Sequence, residues 1–195
     1  FDKGEPDLCI NAAGSGNVPY SVENPIGDFE SNSLETIKIL DAIRRICSSC
    51  RYLHISSAAV YGNPRQLPID ENAPLNPVSP YGWHKMIAEN NCNEYFELFG
   101  IPIAIIRPFS VYGNGLQKQL LWDICTKLEK AAEIELFGTG NESRDFIHVS
   151  DLVNLIGCIV QGDHFANQVF NAASGIETTI SEIANIFETG YNGTK

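Results

Sequence analysis

Three short apolar runs, separated by helical patterns, predict an α/β fold built on a parallel sheet. The runs are "DLCINAA" (7–13), "RYLHISSAAV" (51–60) and "IPIAIIRP" (101–108). Each is too short for a helix and too continuously apolar for a half-exposed strand, which is the habit of strands buried on both faces. After the first run, "FESNSLETIKILDAIRRI" repeats Phe29, Ile37, Leu40 and Ile43 at helical spacing. After the second, a helix is predicted from Pro80 to Phe99, with Ser79 as N-cap, Pro80 in the first position and Gly100 closing it. Strand and helix in alternation are the mark of right-handed crossovers and a parallel sheet.

Beyond Pro108 the pattern loosens into a smaller lobe. A helix is predicted in "QKQLLWDICTKLEKA", two short strands in "IELFGTGNESRDFIHV", and a helix capped by Ser150 and running to about Gln161. "QVFNAA" reads as a further strand, and Thr179-Ile-Ser-Glu182 as a capping box opening the last helix. The expected organisation is a sheet domain over residues 1–112 and a lobe with returning segments over 113–195.

Composition excludes several function classes. At 44% hydrophobic and 19% charged residues, the 195-residue chain can bury a core. A formal charge of −11 argues against sequence-independent binding of nucleic acid, which requires clustered Lys and Arg facing phosphates. Cys47 and Cys50 form a C-x-x-C, but no second pair or His cluster completes a zinc site, so no metal is expected. Cys9, Cys92, Cys125 and Cys158 sit in apolar runs, as core residues would. With no signal peptide and no long apolar span, the expectation is a cytoplasmic protein that does not enter a membrane.

The chemistry is concentrated in "NPVSPYGWHKMIAENN" (76–91). Tyr81 and Lys85 lie four apart, on one face of the predicted helix. The apolar stripe Ala88, Cys92, Tyr95 or Phe96, and Phe99, stepped backwards, reaches Lys85 and then Tyr81, so both point toward the sheet. A core tyrosine beside a snorkelling lysine would give the same spacing. The functional reading is an ammonium that draws the phenol down from about 10, making it a base near neutral pH. Ser56 and Ser57 end the preceding strand, and ligands bind outside the carboxyl ends of parallel strands.

The arrangement of Ser57 with Tyr81-x-x-x-Lys85 resembles the extended short-chain dehydrogenase/reductase superfamily, specifically its NAD-dependent nucleotide-sugar epimerases and dehydratases. The similarity also runs through "NAAGSGNVPYSVENPIGDFESNSLETIKILDAIRR", "SSAAVYG", "RPFSVYGNG" and "FGTGNESRDFIHVSDLV", in family order. It implies a Rossmann-like domain truncated at its N-terminus, with part of a C-terminal substrate lobe. It implies NAD as cofactor (NADP being the alternative), a nucleotide-diphosphate sugar as substrate and a homodimer in the full-length protein. It assigns Tyr81 as catalytic base, Lys85 as the residue that tunes it and holds the nicotinamide ribose, and Ser57 as the contact to the sugar hydroxyl. Ala12, Ala13 and Gly14 would line the cofactor, with Ser56 and Pro108 beside it. Asn32 would support the site, Arg144 would clamp the diphosphate, and Phe109 and Ser110 would contact the substrate. Many relatives carry asparagine at the position of Ser110. The dehydratases of the family follow the hydroxyl residue with an Asp-Glu pair, where this chain has Ala58 and Ala59. A 4-epimerase is therefore favoured, with a 4-reductase or a 4,6-dehydratase as alternatives.

The family's G-x-x-G-x-x-G turn, which cradles the cofactor pyrophosphate, does not occur in this chain. The resemblance places the start of the chain just before the family's fourth strand, so a fragment of a complete enzyme is expected. A short non-catalytic binding module and an oxidoreductase acting on a small carbonyl compound are the other readings. The 195-residue chain alone is expected to bind NAD weakly or not at all; submicromolar binding in a calorimeter would overturn that.

Overall fold

A computed structural model describes residues 4, 6–130, 135, 136 and 138–192, in two compact units. The first comprises Phe1–Pro108 and Asn154–Ala172, the second Phe109–Val153 and Ala173–Lys195.

The first unit is built on four parallel strands: β1 (Leu8–Asn11), β2 (Arg51–Ile55), β3 (Ile103–Pro108) and β6 (Ala166–Ala172), in that spatial order. The interior strand β3 is buried at all six positions, as its unbroken apolar run requires. β1 is less covered than its sequence suggests, because it lies at the edge of this sheet and leaves Ile10 44% exposed. Leu40, Ile43, Tyr52, Cys92, Ile101 and Ile103 form the heart of the core, the leucine and each isoleucine worth ~1.5–3 kcal/mol when fully buried.

Between β1 and β2 the chain forms α1 (Val18–Glu23), α2 (Pro25–Phe29), a π-helical turn (Glu30–Leu34) and α3 (Glu35–Ile46). In the π turn the Glu35 N–H donates to the Glu30 carbonyl, five residues back. That wider turn breaks the helical phase assumed from the sequence. Leu40 and Ile43 are fully buried as expected, but Phe29 is turned outward, with its ring edge-on to His84. α4 (Pro80–Phe99) has the predicted ends: the Gly82 N–H donates to Ser79 Oγ, and Gly100 takes a left-handed conformation at φ 66°. Its inward stripe is Lys85, Ala88, Cys92 and Tyr95, whereas Phe99 at its end is largely exposed.

In the second unit β4 (Ser110–Tyr112) pairs parallel with β5 (Ser143–His148), and β5 pairs antiparallel with β7 (Glu177–Thr179). The strand expected ahead of the Gly-Thr-Gly turn is not formed at Glu135 and Leu136, and Ile134 and Phe137 lie outside the described residues. Two helices belong wholly to this unit, α5 (Gln119–Leu128) and α7 (Ile180–Asn192). α7 opens on the reciprocal Thr179–Glu182 capping box. α6 (Val149–Gln161) begins in this unit and ends in the first. Its first turn is capped by the His148 imidazole, which accepts the Ser150 N–H; Ser150 itself is not the cap.

Two of the cysteines expected in the core, Cys125 and Cys158, are exposed on outward helix faces. Among the described residues no cluster of His, Cys, Asp and Glu could hold a metal ion, and no helix is long and apolar enough to cross a membrane.

The sheet buries one titratable group that acid should find. His54 on β2 is 1% exposed with neither ring nitrogen hydrogen-bonded among the described residues, and burial brings its imidazole from 6.5 down to about 3. Above pH 6.5 both folded and unfolded forms are neutral there. Below it the unfolded chain binds a proton that the folded chain refuses until about pH 3, so stability falls across that window. Urea unfolding between pH 7 and pH 4 should lose less stability in His54→Leu than in the wild type; parallel curves would contradict this.

Candidate active site

The residues singled out in the first unit meet at the carboxyl ends of its strands. Asn11 closes β1: its Nδ2 donates to the Tyr52 hydroxyl at 2.8 Å, and its Oδ1 accepts the Ala13 N–H at 3.1 Å. That turn leaves Ala12, Ala13 and Gly14 exposed in succession. Gly14 has φ +122°, and a Cβ there would lie 2.5 Å from Asn32 Oδ1, so both its conformation and its closeness to the π turn demand glycine. Asn32 is buried in that turn, donating Nδ2 to the Asp28 carbonyl at 3.1 Å.

β2 ends at Ile55, and Ser56 and Ser57 diverge from there. Ser57 is half-buried and caps a 3₁₀ turn (Ala58–Tyr61), accepting the Ala59 N–H. Its hydroxyl also interacts with the Tyr81 phenol. Ser56 turns into the interior and donates to Glu89 Oε1 at 2.5 Å, so its hydroxyl is engaged with the protein. On α4, Tyr81 lies in the first turn, its N–H donating to Ser21 Oγ at 3.1 Å. One turn later Lys85 is 5% exposed and donates Nζ to the Ile55 carbonyl at 3.0 Å. Ser57, Tyr81 and Lys85 are thereby gathered around the end of one strand.

The electrostatics differ from the expectation for Tyr81. Burial is the largest influence and pushes the phenol above its ordinary value, Ser57 pulls it down, and the Asp28 carboxylate pushes it up. Lys85 is brought down to about 8 by burial, against the upward pull of Asp28 and Glu89, so it stays mostly protonated at neutral pH. These residues fit a nicotinamide cofactor. A row of small exposed residues permits close approach at the end of β1, and among the described residues the Lys85 ammonium spends one of its three N–H donors on the protein.

Glu89 and Arg107 escaped the sequence reading. Arg107 Nε and Nη2 donate to Glu89 Oε1 and Oε2 at 3.0 and 2.7 Å, and both side chains are almost wholly buried. Arg107 Nη1 also donates to the Tyr61 hydroxyl and the Glu71 carbonyl, and Tyr61 donates to Asn171 Oδ1 on β6. Two signals pointed to this pair. Glu89 is one turn beyond Lys85 on the buried stripe, and Arg107 interrupts the apolar run of β3 just before Pro108.

In the second unit, Ser110 and Arg144 line one small pocket with Tyr112, Leu116, Gln119 and Phe146. Arg144 is exposed and, among the described residues, forms no ion pair with its neighbour Asp145. Asp145 instead accepts the backbone N–H groups of Ser174 and Gly175, each at 2.7 Å. Phe109 begins this unit, its carbonyl accepting the Val111 N–H.

A parallel sheet with a serine, a tyrosine and a lysine gathered at its carboxyl edge defines a class of nucleotide-dependent α/β proteins. The chain belongs to the NAD dependent epimerase/dehydratase family, whose model matches residues 1–173. It is 36% identical over 195 residues to a Methanocaldococcus jannaschii protein named "Putative UDP-glucose 4-epimerase", covering 96% of this chain and 62% of that protein. The UDP-N-acetylglucosamine 4-epimerase of Methanobrevibacter ruminantium M1, solved with UDP-N-acetylmuramic acid, superposes with a TM-score of 0.85 at 26% identity, over 95% of this chain and 61% of that one. The UDP-glucuronic acid 4-epimerase of Bacillus cereus shares the fold at a TM-score of 0.89 and 24% identity, over 95% and 60% of the two chains. The chain thus spans about three-fifths of the length of the relatives it matches.

Removing one member of a buried, forked ion pair leaves the other charge unsatisfied, at a cost of ~3–5 kcal/mol. Glu89→Gln should lose stability of that order in urea unfolding at pH 7, and Glu89→Leu combined with Arg107→Met should recover most of it. A Glu89→Gln protein as stable as the wild type would remove the pair from its structural role.

Proposed function

We propose that the protein is an NAD-dependent nucleotide-sugar 4-epimerase. The observation that carries this reading is the meeting of Ser57, Tyr81 and Lys85 at the carboxyl end of β2. Tyr81, as phenolate, takes the proton of the sugar 4-hydroxyl, and Ser57 holds that hydroxyl in place. Lys85 remains protonated, supplying positive charge beneath the site and N–H donors for the nicotinamide ribose. A bound nicotinamide would supply the hydride chemistry at the sugar carbon that carries the 4-hydroxyl, the hydride being lost from one face and regained on the other. Tyr81 then gives its proton back to the product oxygen, so it ends the cycle as it began.

Burial raises Tyr81, so a phenolate needs nearby positive charge, and a cationic nicotinamide ring is the kind of neighbour that provides it. Ala12, Ala13, Gly14 and Pro108 are proposed to meet the cofactor. Arg144, with Ser110 and Phe109, is proposed to take the diphosphate, where a planar guanidinium can bond two oxygens at once. The choice of epimerase over dehydratase rests on Ala58 and Ala59. They open the 3₁₀ turn after Ser57 and place no carboxylate there to move protons during loss of water.

The test is an assay of the native gene product with UDP- and dTDP-sugars, resolving 4-epimers from 4-keto-6-deoxy products. Tyr81→Phe should lower kcat by about 10²–10⁴, the usual contribution of a positioned general base. Arg144→Leu should weaken nucleotide-sugar binding by about 10–100-fold, as for loss of a charge-assisted contact. Loss of water from the substrate would replace the epimerase reading. Unchanged affinity in Arg144→Leu would favour a small carbonyl substrate.

A further inference from the structure

Two buried carboxylates bear on the Lys85 ammonium: Asp28 from α2, and Glu89 from its own helix. They are neutralised in different ways. Arg107 holds Glu89 by both oxygens, and a guanidinium stays charged throughout the range in which proteins remain folded. Asp28 is held by one oxygen: His84 Nδ1 lies 2.6 Å from its Oδ2, while Oδ1 is buried and has no hydrogen-bond partner among the described residues. The balance at Glu89 rests on a guanidinium fork; the balance at Asp28 rests on a single contact with an imidazole.

The dyad is held from both sides. Asp28 is fully buried, and its carbonyl accepts Asn32 Nδ2 from the π turn. Ser33 Oγ donates to the His84 carbonyl at 2.8 Å, and the Phe29 ring stands edge-on to the imidazole at 5.5 Å. His84 follows Tyr81 by three residues and immediately precedes Lys85, so the imidazole rides on the helix that carries both. Other ionisable groups also bear on Lys85: Cys92 from α4, and His54, which faces it from β2. Asp28 bears on Tyr81 as well, while Glu23 of α1 and Glu30 of the π turn are exposed.

We infer that Asp28 and His84 are positioning residues for the proposed proton transfer: Asp28 supplies the counter-charge for Lys85, and His84 aims that carboxylate and shares its charge. This rests on the reading of Tyr81 and Lys85 as the proton-transfer pair. The orphaned Oδ1 is the face of Asp28 that His84 leaves available to the interior. An imidazolium would take most of the carboxylate's charge for itself, and a neutral imidazole would release it to Lys85.

The test is the titration of Lys85 by NMR in protein carrying ¹³C-lysine, with the signal assigned from Lys85→Met. Asp28→Asn should lower the midpoint by about one unit, tenfold in proton affinity, as expected on losing an opposite charge at close range. His84→Leu, which leaves Asp28 to Lys85 alone, should move it upward. If Asp28→Asn fails to fold, Asp28→Leu combined with His84→Leu removes the dyad as a unit and should lower the midpoint in the same way. A Lys85 midpoint that stays at its wild-type value in these variants overturns the inference. If the midpoints shift but Tyr81→Phe keeps full activity, the coupling stands and its catalytic assignment falls.

Discussion

The forked pair between Arg107 and Glu89 is the interaction on which the arrangement of the first unit depends. It joins the end of β3 to the middle of α4, and through Ser56 it also fixes the point at which β2 leaves the sheet. Tyr61 and Asn171 extend it to the 3₁₀ turn and to β6. Charges so deeply placed are tolerable only when every lone pair and every N–H finds a partner, and that requirement forces several elements into one relative position. Lys85 and Tyr81 inherit their placement from it, because they lie one and two turns before Glu89 on the same helix.

A second consequence concerns the phenol. Burial acts against its ionisation, Asp28 acts in the same direction, and the Ser57 hydroxyl favours the charged form. The chain by itself therefore favours the neutral form of the Tyr81 phenol.

Much of the first unit was legible in the sequence. The apolar runs gave β2 and β3, and the Ser79, Pro80 and Gly100 signals gave both ends of α4, because these features act locally and do not need tertiary context. The inward direction of Lys85 was also readable from the stripe behind it. What could not be read depends on partners far away in sequence. Arg107 and Glu89 lie 18 residues apart, and nothing local reveals that one will clasp the other. Ser56 and Ser57 are adjacent and chemically identical, and only the direction of the strand end separates an interior hydroxyl from one that faces the tyrosine. Phe29 was misplaced because a uniform period of 3.6 was carried through a stretch that winds more widely.

That stretch has a consequence for how variation in this protein should be understood. The π turn at Glu30–Leu34 accommodates one residue beyond what an α-helix would hold. Deleting one residue within it would let a regular helix span the segment with the turns on either side still in their present phase, so Asp28 would keep its place beside His84. A one-residue change of length at this point is one the helix can absorb, where the same change inside the regular turns of α3 would rotate one flank against the other by about 100°.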